Sequence, residues 1–176
     1  FPFSLLDSDM VNAFAIPGGY VYVTRGLMAL ANSEAELAGV IGHEIGHVIA
    51  RHGAQRMTQQ TLAGLGVAVV GIALQDRNLM NLAGAGAMAW ITGYSRSQEL
   101  ASDELGVRYL TRAGYDPFSM ASFLEQLERQ SQLARQFAFQ DNEPDPANSW
   151  FATHPRTQDR VVAAAEIASI GLVDPF

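Results

Sequence analysis

The chain has 176 residues and no cysteine, which fits one domain over 1–176 and excludes cysteine-ligated metal sites and a thiol nucleophile. Its net charge of −7 comes with only 11 scattered basic residues. A nucleic-acid partner is therefore not expected, because phosphate binding needs clustered lysine and arginine. The chain begins at Phe1 without a signal-peptide pattern, and we expect a processed or trimmed piece of a longer protein.

Residues 1–24 predict β structure. Two short runs of β-branched, aromatic and alanine residues, at 13–16 and 20–24, flank Pro17-Gly18-Gly19, a pattern typical of a β-hairpin. A helix is predicted next, over 33–51. Its start has the capping-box pattern of a serine followed three positions later by a glutamate, its apolar residues recur on one face, and Gly53 suits its end.

Residues 61–93 stand out because Asp76 and Arg77 are their only charged residues. They divide into two apolar arms, 61–75 and 79–93, and each arm is shorter than the ~20 apolar residues that cross a bilayer. We expect a buried or partly buried helical hairpin that covers the cleft of a site. Shallow contact with a membrane or a partner protein is the alternative.

Further helices are predicted from the apolar pattern and the glycine and proline breaks, over 97–112, 119–140 and 155–170. The last one opens at Pro155, a favoured first helical position, after a polar loop at 141–149. The sequence therefore predicts a mainly helical α+β fold in which the helix over 33–51 packs beside a small N-terminal sheet.

The chemistry centres on His43-Glu44-Ile45-Gly46-His47, an HExxH motif inside the predicted helix. At about 100° per residue, the two histidines lie roughly 40° apart on one face, where both imidazoles can bind one zinc ion. Glu44 lies near enough to act as a general base on water beside the metal. The motif also occurs by chance in many chains, but its central place in a capped amphipathic helix favours a zinc site.

A catalytic zinc needs a third protein ligand and an open fourth position. His52 follows His43 by nine positions, about 180° round a continuous helix, so we predict that it faces away from the metal and favours the helix dipole. Glu99 is the better candidate. Asp103 lies one turn further on and could accept the free N–H of His43 or His47. The alternative is that both acids are ordinary solvated residues.

Four motifs in chain order carry a family resemblance. They are NAFAIPGG at 12–19, GHEIGH at 42–47, SRSQELASD at 95–103, and Thr153-His154-Pro155 with Arg160. With them the chain resembles, over nearly its whole length, the zinc metallopeptidase family that includes HtpX, the CaaX prenyl endopeptidase and the Oma-type mitochondrial peptidases. Membrane-embedded members carry long spanning helices, which this sequence does not predict, and the chain is more similar to the soluble bacterial members.

The resemblance implies a zincin-like fold and a zinc-dependent endopeptidase. It assigns His43, His47 and Glu99 as ligands of one Zn²⁺ per chain, Glu44 as general base, Asp103 as the acid behind the ligands, and His154 and Arg160 as neighbours of the reacting carbonyl. It also implies that the strand after the Pro-Gly-Gly turn lies along the cleft, where a substrate could pair as an added strand. His154 could instead cap the last helix, or occupy the fourth zinc position and hold the enzyme idle.

The expected substrates are unfolded or misassembled proteins, in protein quality control of the bacterial periplasm or cell envelope. The location is implied by the resemblance alone. One alternative is a binding or chaperone-like module that keeps zinc for structure, which would have to recruit His154 because the chain has no cysteine. Another is a peripheral membrane protein whose contact is the apolar segment 61–93.

Overall fold

The structure is a computed structural model that describes residues 1–74, 93–141, 150, 153–154 and 158–173. Within these ranges the chain forms a small sheet followed by helices, as predicted. The elements are β1 (Phe3–Leu6), β2 (Ala13–Ile16), β3 (Tyr20–Thr24), α1 (Arg25–Leu30), α2 (Glu34–Ile49), α3 (His52–Leu74), α4 (Arg96–Ala113), α5 (Ser119–Asp141) and α6 (Gln158–Val173). The expectation of a mainly helical α+β fold is confirmed.

The predicted hairpin is present, with β2 antiparallel to β3. Its turn needs glycine, because Gly18 and Gly19 adopt φ values of 100° and 85°. The Phe14 and Tyr22 rings stack across the pair at 5.1 Å between centroids. The parallel pairing of β1 with β3 was not predicted, and it gives the strand order β1-β3-β2. Consequently β3 is paired on both sides, and β2 is an edge strand that packs against α2.

The sequence did not predict helix α1, because a helix of about one and a half turns is too short to show a periodic apolar pattern. It begins where β3 ends. The Thr24 hydroxyl accepts the N–H of Leu27 at 3.2 Å, a normal N-cap bond, and donates to the carbonyl oxygen of Met10 at 2.6 Å. The short helix thereby closes the sheet and leads the chain towards α2.

Helix α2 starts as predicted but ends earlier. The Ser33 hydroxyl accepts the N–H of Glu36 at 3.1 Å, while the Glu36 carboxylate accepts from the N–H of Asn32 at 2.7 Å instead of from Ser33 itself. The end is set by Arg51, whose φ of 56° lies in the left-handed region. That turn breaks the helix before Gly53 and lets α3 begin at once.

The apolar segment 61–93 is described only in part. Its first arm is helical, as predicted, but it belongs to the longer helix α3, and most of the second arm lies outside the described residues. Leu62, Leu65 and Val69 are 59–65% exposed, so the predicted burial is wrong for these side chains. Among the described residues, no helix combines the length and apolarity that crossing a bilayer requires.

The core lies between α2, α4, α5 and α6 and extends to α1 and one face of the sheet. Its large side chains are almost fully buried: Leu27, Val40, Leu110, Met120, Phe123 and Leu127. Each contributes about 1.5–3 kcal/mol relative to exposure to water. Glycines set the distance between α2 and α4. A Cβ added to Gly46 would lie 3.1 Å from Ser102 Cα, and one added to Gly106 would lie 3.2 Å from the backbone nitrogen of His43.

We expect Gly46→Ala to lower the free energy of unfolding by about 1–3 kcal/mol, because the new methyl group meets backbone atoms of α4 that cannot rotate away. Thermal unfolding followed by circular dichroism measures the change. The matched control is Gly53→Ala in α3, where an added Cβ meets nothing within 4 Å. Equal melting temperatures for the two variants would show that the helices tolerate a wider separation.

Candidate metal centre

Three parts of the chain supply the site. Helix α2 carries the HExxH residues, α4 carries the two acids, and the region from 150 to the first turn of α6 carries a histidine and an arginine. All of the predicted site side chains are at most 2% exposed: His43, Glu44, His47, Glu99, Asp103, His154 and Arg160. The alternative in which Glu99 and Asp103 are ordinary solvated acids is therefore wrong.

Four ligand atoms converge at the centre. One nitrogen or oxygen each from His43, His47, Glu99 and His154 lies within 4.8 Å of all the others. His43 Nε2 is 3.0 Å from His47 Nε2 and 3.2 Å from His154 Nδ1, and His47 Nε2 is 3.3 Å from Glu99 Oε1. A tetrahedral ion bound at ~2.0–2.1 Å holds its ligands roughly 3.3 Å apart, so these donors fit a metal ion.

Asp103 supports one of the two motif histidines. Its Oδ1 lies 2.8 Å from His43 Nδ1, which decides between the two partners that the sequence left open. Burial would raise the pKa of Asp103, but the nearby Arg160 guanidinium outweighs it and holds that pKa below its ordinary value. Burial alone would lower the pKa of His43, and the Asp103 carboxylate instead raises it.

Arg160 binds the two buried acids of α4, Glu99 and Asp103. Its Nε and Nη2 each donate to Asp103 at 2.7 Å, and its Nη1 lies 2.6 Å from Glu99 Oε2. A guanidinium is planar and permanently charged, so this double contact fixes both carboxylates at once. Arg160 thus shares Asp103 Oδ1 with His43 Nδ1, which lies 2.8 Å from the same oxygen.

Glu44 is close to the four ligand atoms but does not belong to the group. Its side chain is 1% exposed, and its Oε1 accepts no hydrogen bond from the described residues. The same oxygen lies 3.4 Å from His154 Nε2. A buried carboxylate oxygen with acceptor capacity left over can take a proton from a molecule that enters the site.

Aromatic rings that the sequence reasoning missed hold two of the histidines. Tyr94 stacks on His47 with 3.8 Å between ring centroids, and Trp150 stacks on His154 at 4.2 Å. The backbone N–H of Tyr94 donates to the carbonyl oxygen of Thr153 at 2.9 Å. Neither ring falls inside a spacing that marks metal sites, so no pattern in the sequence could have singled it out.

The prediction for His52 is only partly right. His52 is not among the four side chains whose ligand atoms converge, as predicted, but it neither faces away from the site nor ends helix α2. His52 is 6% exposed, and its Nδ1 lies 3.0 Å from His47 Nδ1 and 3.3 Å from Ser102 Oγ. The error has a physical cause. The angular count assumed one continuous helix, whereas the left-handed backbone at Arg51 ends α2 and makes His52 the first residue of α3.

A cleft of about 190 Å³ opens beside His47. Its walls come from β2 and the turn after it, from the end of α2, from the start of α3 and from Tyr94; they include Ala15, Ile16, Val48, Arg51 and Ala54. The prediction that the strand after the Pro-Gly-Gly turn lies along the cleft is wrong, because β3 is the central strand. The edge strand beside the cleft is β2.

Comparison with known proteins agrees with this geometry. The sequence profile of Peptidase family M48 matches residues 1–168. The chain belongs to Peptidase family M48. This confirms the resemblance inferred from the four motifs, and within this M48 chain all four motifs contribute residues to the site or to the cleft beside it.

Among curated relatives, the chain is 37% identical to the beta-barrel assembly-enhancing protease of Yersinia pestis over 140 residues, which is 74% of this chain and 29% of that protein. It is 33% identical to the protein of that name in Escherichia coli K12 over 76% of this chain and 29% of that protein. It is 28% identical to mitochondrial metalloendopeptidase OMA1 of Arabidopsis thaliana over 96% of this chain and 32% of that protein. The chain spans less than a third of each relative.

For this M48 domain we expect Asp103→Asn to lower the free energy of unfolding by about 3–5 kcal/mol, because it leaves the buried Arg160 without half of its charge partners. Urea denaturation measures the change. Glu104→Gln is the matched control on the next residue of α4, since Glu104 pairs with Arg108 at the surface and such pairs contribute at most about 1 kcal/mol. Equal urea midpoints for Asp103→Asn and Glu104→Gln would show that the ion pair of Asp103 with Arg160 does not stabilise the fold.

Proposed function

We propose that this chain is the catalytic domain of a zinc-dependent endopeptidase. The observation that carries the proposal is the buried group of His43, His47, Glu99 and His154, whose ligand atoms converge within 4.8 Å. Beside them lies Glu44 Oε1, which accepts no hydrogen bond from the residues that the structure describes. Membership of Peptidase family M48 supports it, as do relatives named as metalloendopeptidases. A purely structural metal site, the alternative, would leave the buried Glu44 without a role.

One Zn²⁺ per chain suits the charges as well as the ligands. The buried carboxylates of Glu44, Glu99 and Asp103 face the buried guanidinium of Arg160, and a divalent cation would balance the remaining negative charge. Imidazole nitrogens and a carboxylate oxygen are ligands that catalytic zinc sites use. Burial lowers the pKa of His47 to about 3, which keeps this ring neutral, as a metal ligand must be. Zinc bound there would act as a Lewis acid towards the substrate carbonyl and lower the pKa of water.

Glu44 is the general base in this proposal. Its free oxygen accepts the proton of the attacking water, and the carboxyl group then gives that proton to the leaving amine. Asp103 and Arg160 hold the ligands in place. Because the guanidinium nitrogens of Arg160 already contact the carboxylates of Asp103 and Glu99, we assign Arg160 a positioning role. His154 is then the donor to the carbonyl oxygen of the substrate.

The position of His154 supports a latent state. With its Nδ1 at 3.0 Å from Glu99 Oε1 and 3.2 Å from His43 Nε2, His154 would complete a closed site with four protein ligands. A catalytic zinc needs an open fourth position. We propose that His154 must leave the ligand group before a peptide binds, and that it then faces the reacting carbonyl.

Unfolded or misassembled proteins of the bacterial periplasm or cell envelope are the proposed substrates. The relatives from Yersinia pestis and Escherichia coli are named beta-barrel assembly-enhancing proteases, which supports misassembled proteins as the substrate class. An extended peptide could pair with the edge strand β2 beside the cleft. The exposed apolar side chains of α3, including Leu62 and Leu65, support a further contact of segment 61–93 with a membrane surface or partner protein.

Glu44→Gln should bind zinc one to one but cleave an unfolded protein such as reduced casein about 10²–10⁴-fold more slowly, because the amide cannot accept a proton. Zinc content is measured by atomic absorption and cleavage by gel. Glu125→Gln in α5 is the control, since Glu125 pairs with Arg129 at the surface. Undiminished cleavage by Glu44→Gln in a chelator-sensitive reaction would exclude Glu44 as the base.

His154→Ala should separate latency from catalysis. The zinc-loaded variant should bind a small hydroxamate at least about tenfold more tightly than the wild-type protein does, because no side chain competes for the fourth position on the metal. Its turnover should fall about 10²–10³-fold, because the carbonyl donor is lost. Equal hydroxamate affinity for both proteins, measured by calorimetry, would show that His154 does not close the site.

A further inference from the structure

The two ring nitrogens of His47 have different neighbours. Nε2 faces the ligand group, 3.0 Å from His43 Nε2 and 3.3 Å from Glu99 Oε1. Nδ1 points the other way, and His52 Nδ1 lies 3.0 Å from it. If Nε2 binds the metal, the neutral ring carries its proton on Nδ1, and that N–H needs an acceptor.

His52 is placed to be that acceptor. A hydrogen bond between two Nδ1 atoms needs one proton. If His47 donates it, His52 must accept and carry its own proton on Nε2. The rings meet edge to face, with 5.0 Å between centroids and planes at 72°. Ser102, which is fully buried on α4, has its hydroxyl oxygen 3.3 Å from His52 Nδ1 and packs against the ring from the side of α4.

The other histidine of the HExxH motif, His43, has a comparable contact at its outer ring nitrogen. His43 has its outer nitrogen 2.8 Å from Asp103 of α4, and His47 has its outer nitrogen 3.0 Å from His52 of α3. Each imidazole is thus fixed by a residue from a different helix. An imidazole that accepts at Nδ1 is neutral, so His52 in this role would add no negative charge to a site that already buries several carboxylates.

We propose that His52 is the positioning residue of His47, whose Nδ1–H it accepts so that Nε2 faces the metal. The inference rests on the zinc site proposed above. The short turn at Arg51 makes the contact possible, because it places the first residue of α3 directly behind the last turn of α2.

Two substitutions separate this role from simple packing. Asparagine has its side-chain oxygen at the same distance from the backbone as histidine Nδ1, whereas glutamine has its oxygen where Nε2 would lie. His52→Asn should keep the zinc affinity within about threefold of wild type, and His52→Gln and His52→Leu should lose about 10–100-fold. Competition with a chromogenic chelator measures the affinity, and thermal unfolding of the metal-free proteins measures the structural effect.

The outcomes distinguish the inference from the zinc site itself. If His52→Asn and His52→Gln lose zinc affinity equally, His52 does not accept the His47 N–H at Nδ1. The same follows if His52→Gln keeps its zinc affinity while His52→Asn loses it. Wild-type affinity in all His52 variants, together with loss of zinc in His43→Ala, would overturn the positioning role and leave the site standing. A wild-type chain that binds no zinc would overturn both. The expected result is that only His52→Asn keeps the zinc affinity, while all three His52 variants have similar stabilities without metal.

Discussion

The close approach of α2 and α4 is the constraint on which the site depends. Gly42 and Gly46 of α2 face Gly106 and Ser102 of α4 at distances where even a methyl group would touch backbone. Small residues at a helix contact let two backbones come nearer than ordinary side chains permit. Because both helices carry site residues on the facing sides, this approach brings the HExxH motif against Glu99 without any intervening loop.

Burial of so many ionisable groups is tolerated because most of them have a partner of opposite charge or a hydrogen-bond partner. Removing a charge from water costs several kcal/mol, and the cost is offset only where geometry and charge are complementary. Arg160 offsets Asp103 and one oxygen of Glu99, while the imidazoles share contacts with one another and with those acids. The proposed cation would balance the remaining negative charge. A polar cluster can therefore lie beside the apolar core.

In the proposed function, the position of His154 controls access to the metal site. A site closed by four protein side chains would be inert, and stacking of His154 on Trp150 stabilises that closed arrangement. A stacked aromatic pair contributes about 0.5–1.5 kcal/mol beyond burial, small enough for substrate binding to displace it. In the proposed function, the edge strand β2 beside the cleft would give an incoming peptide a place to pair before the histidine moves.

The sequence by itself determined what depends on neighbours along the chain: the capped helix α2, the hairpin of β2 and β3, and the shared face of His43 and His47. These follow from backbone periodicity and turn chemistry, which act over a few residues. Only the tertiary structure decided the parallel partner of β3, the pairing of Asp103 with His43, and the contact of His52 with His47. Those contacts join distant segments or cross the left-handed turn at Arg51, where periodicity no longer predicts direction.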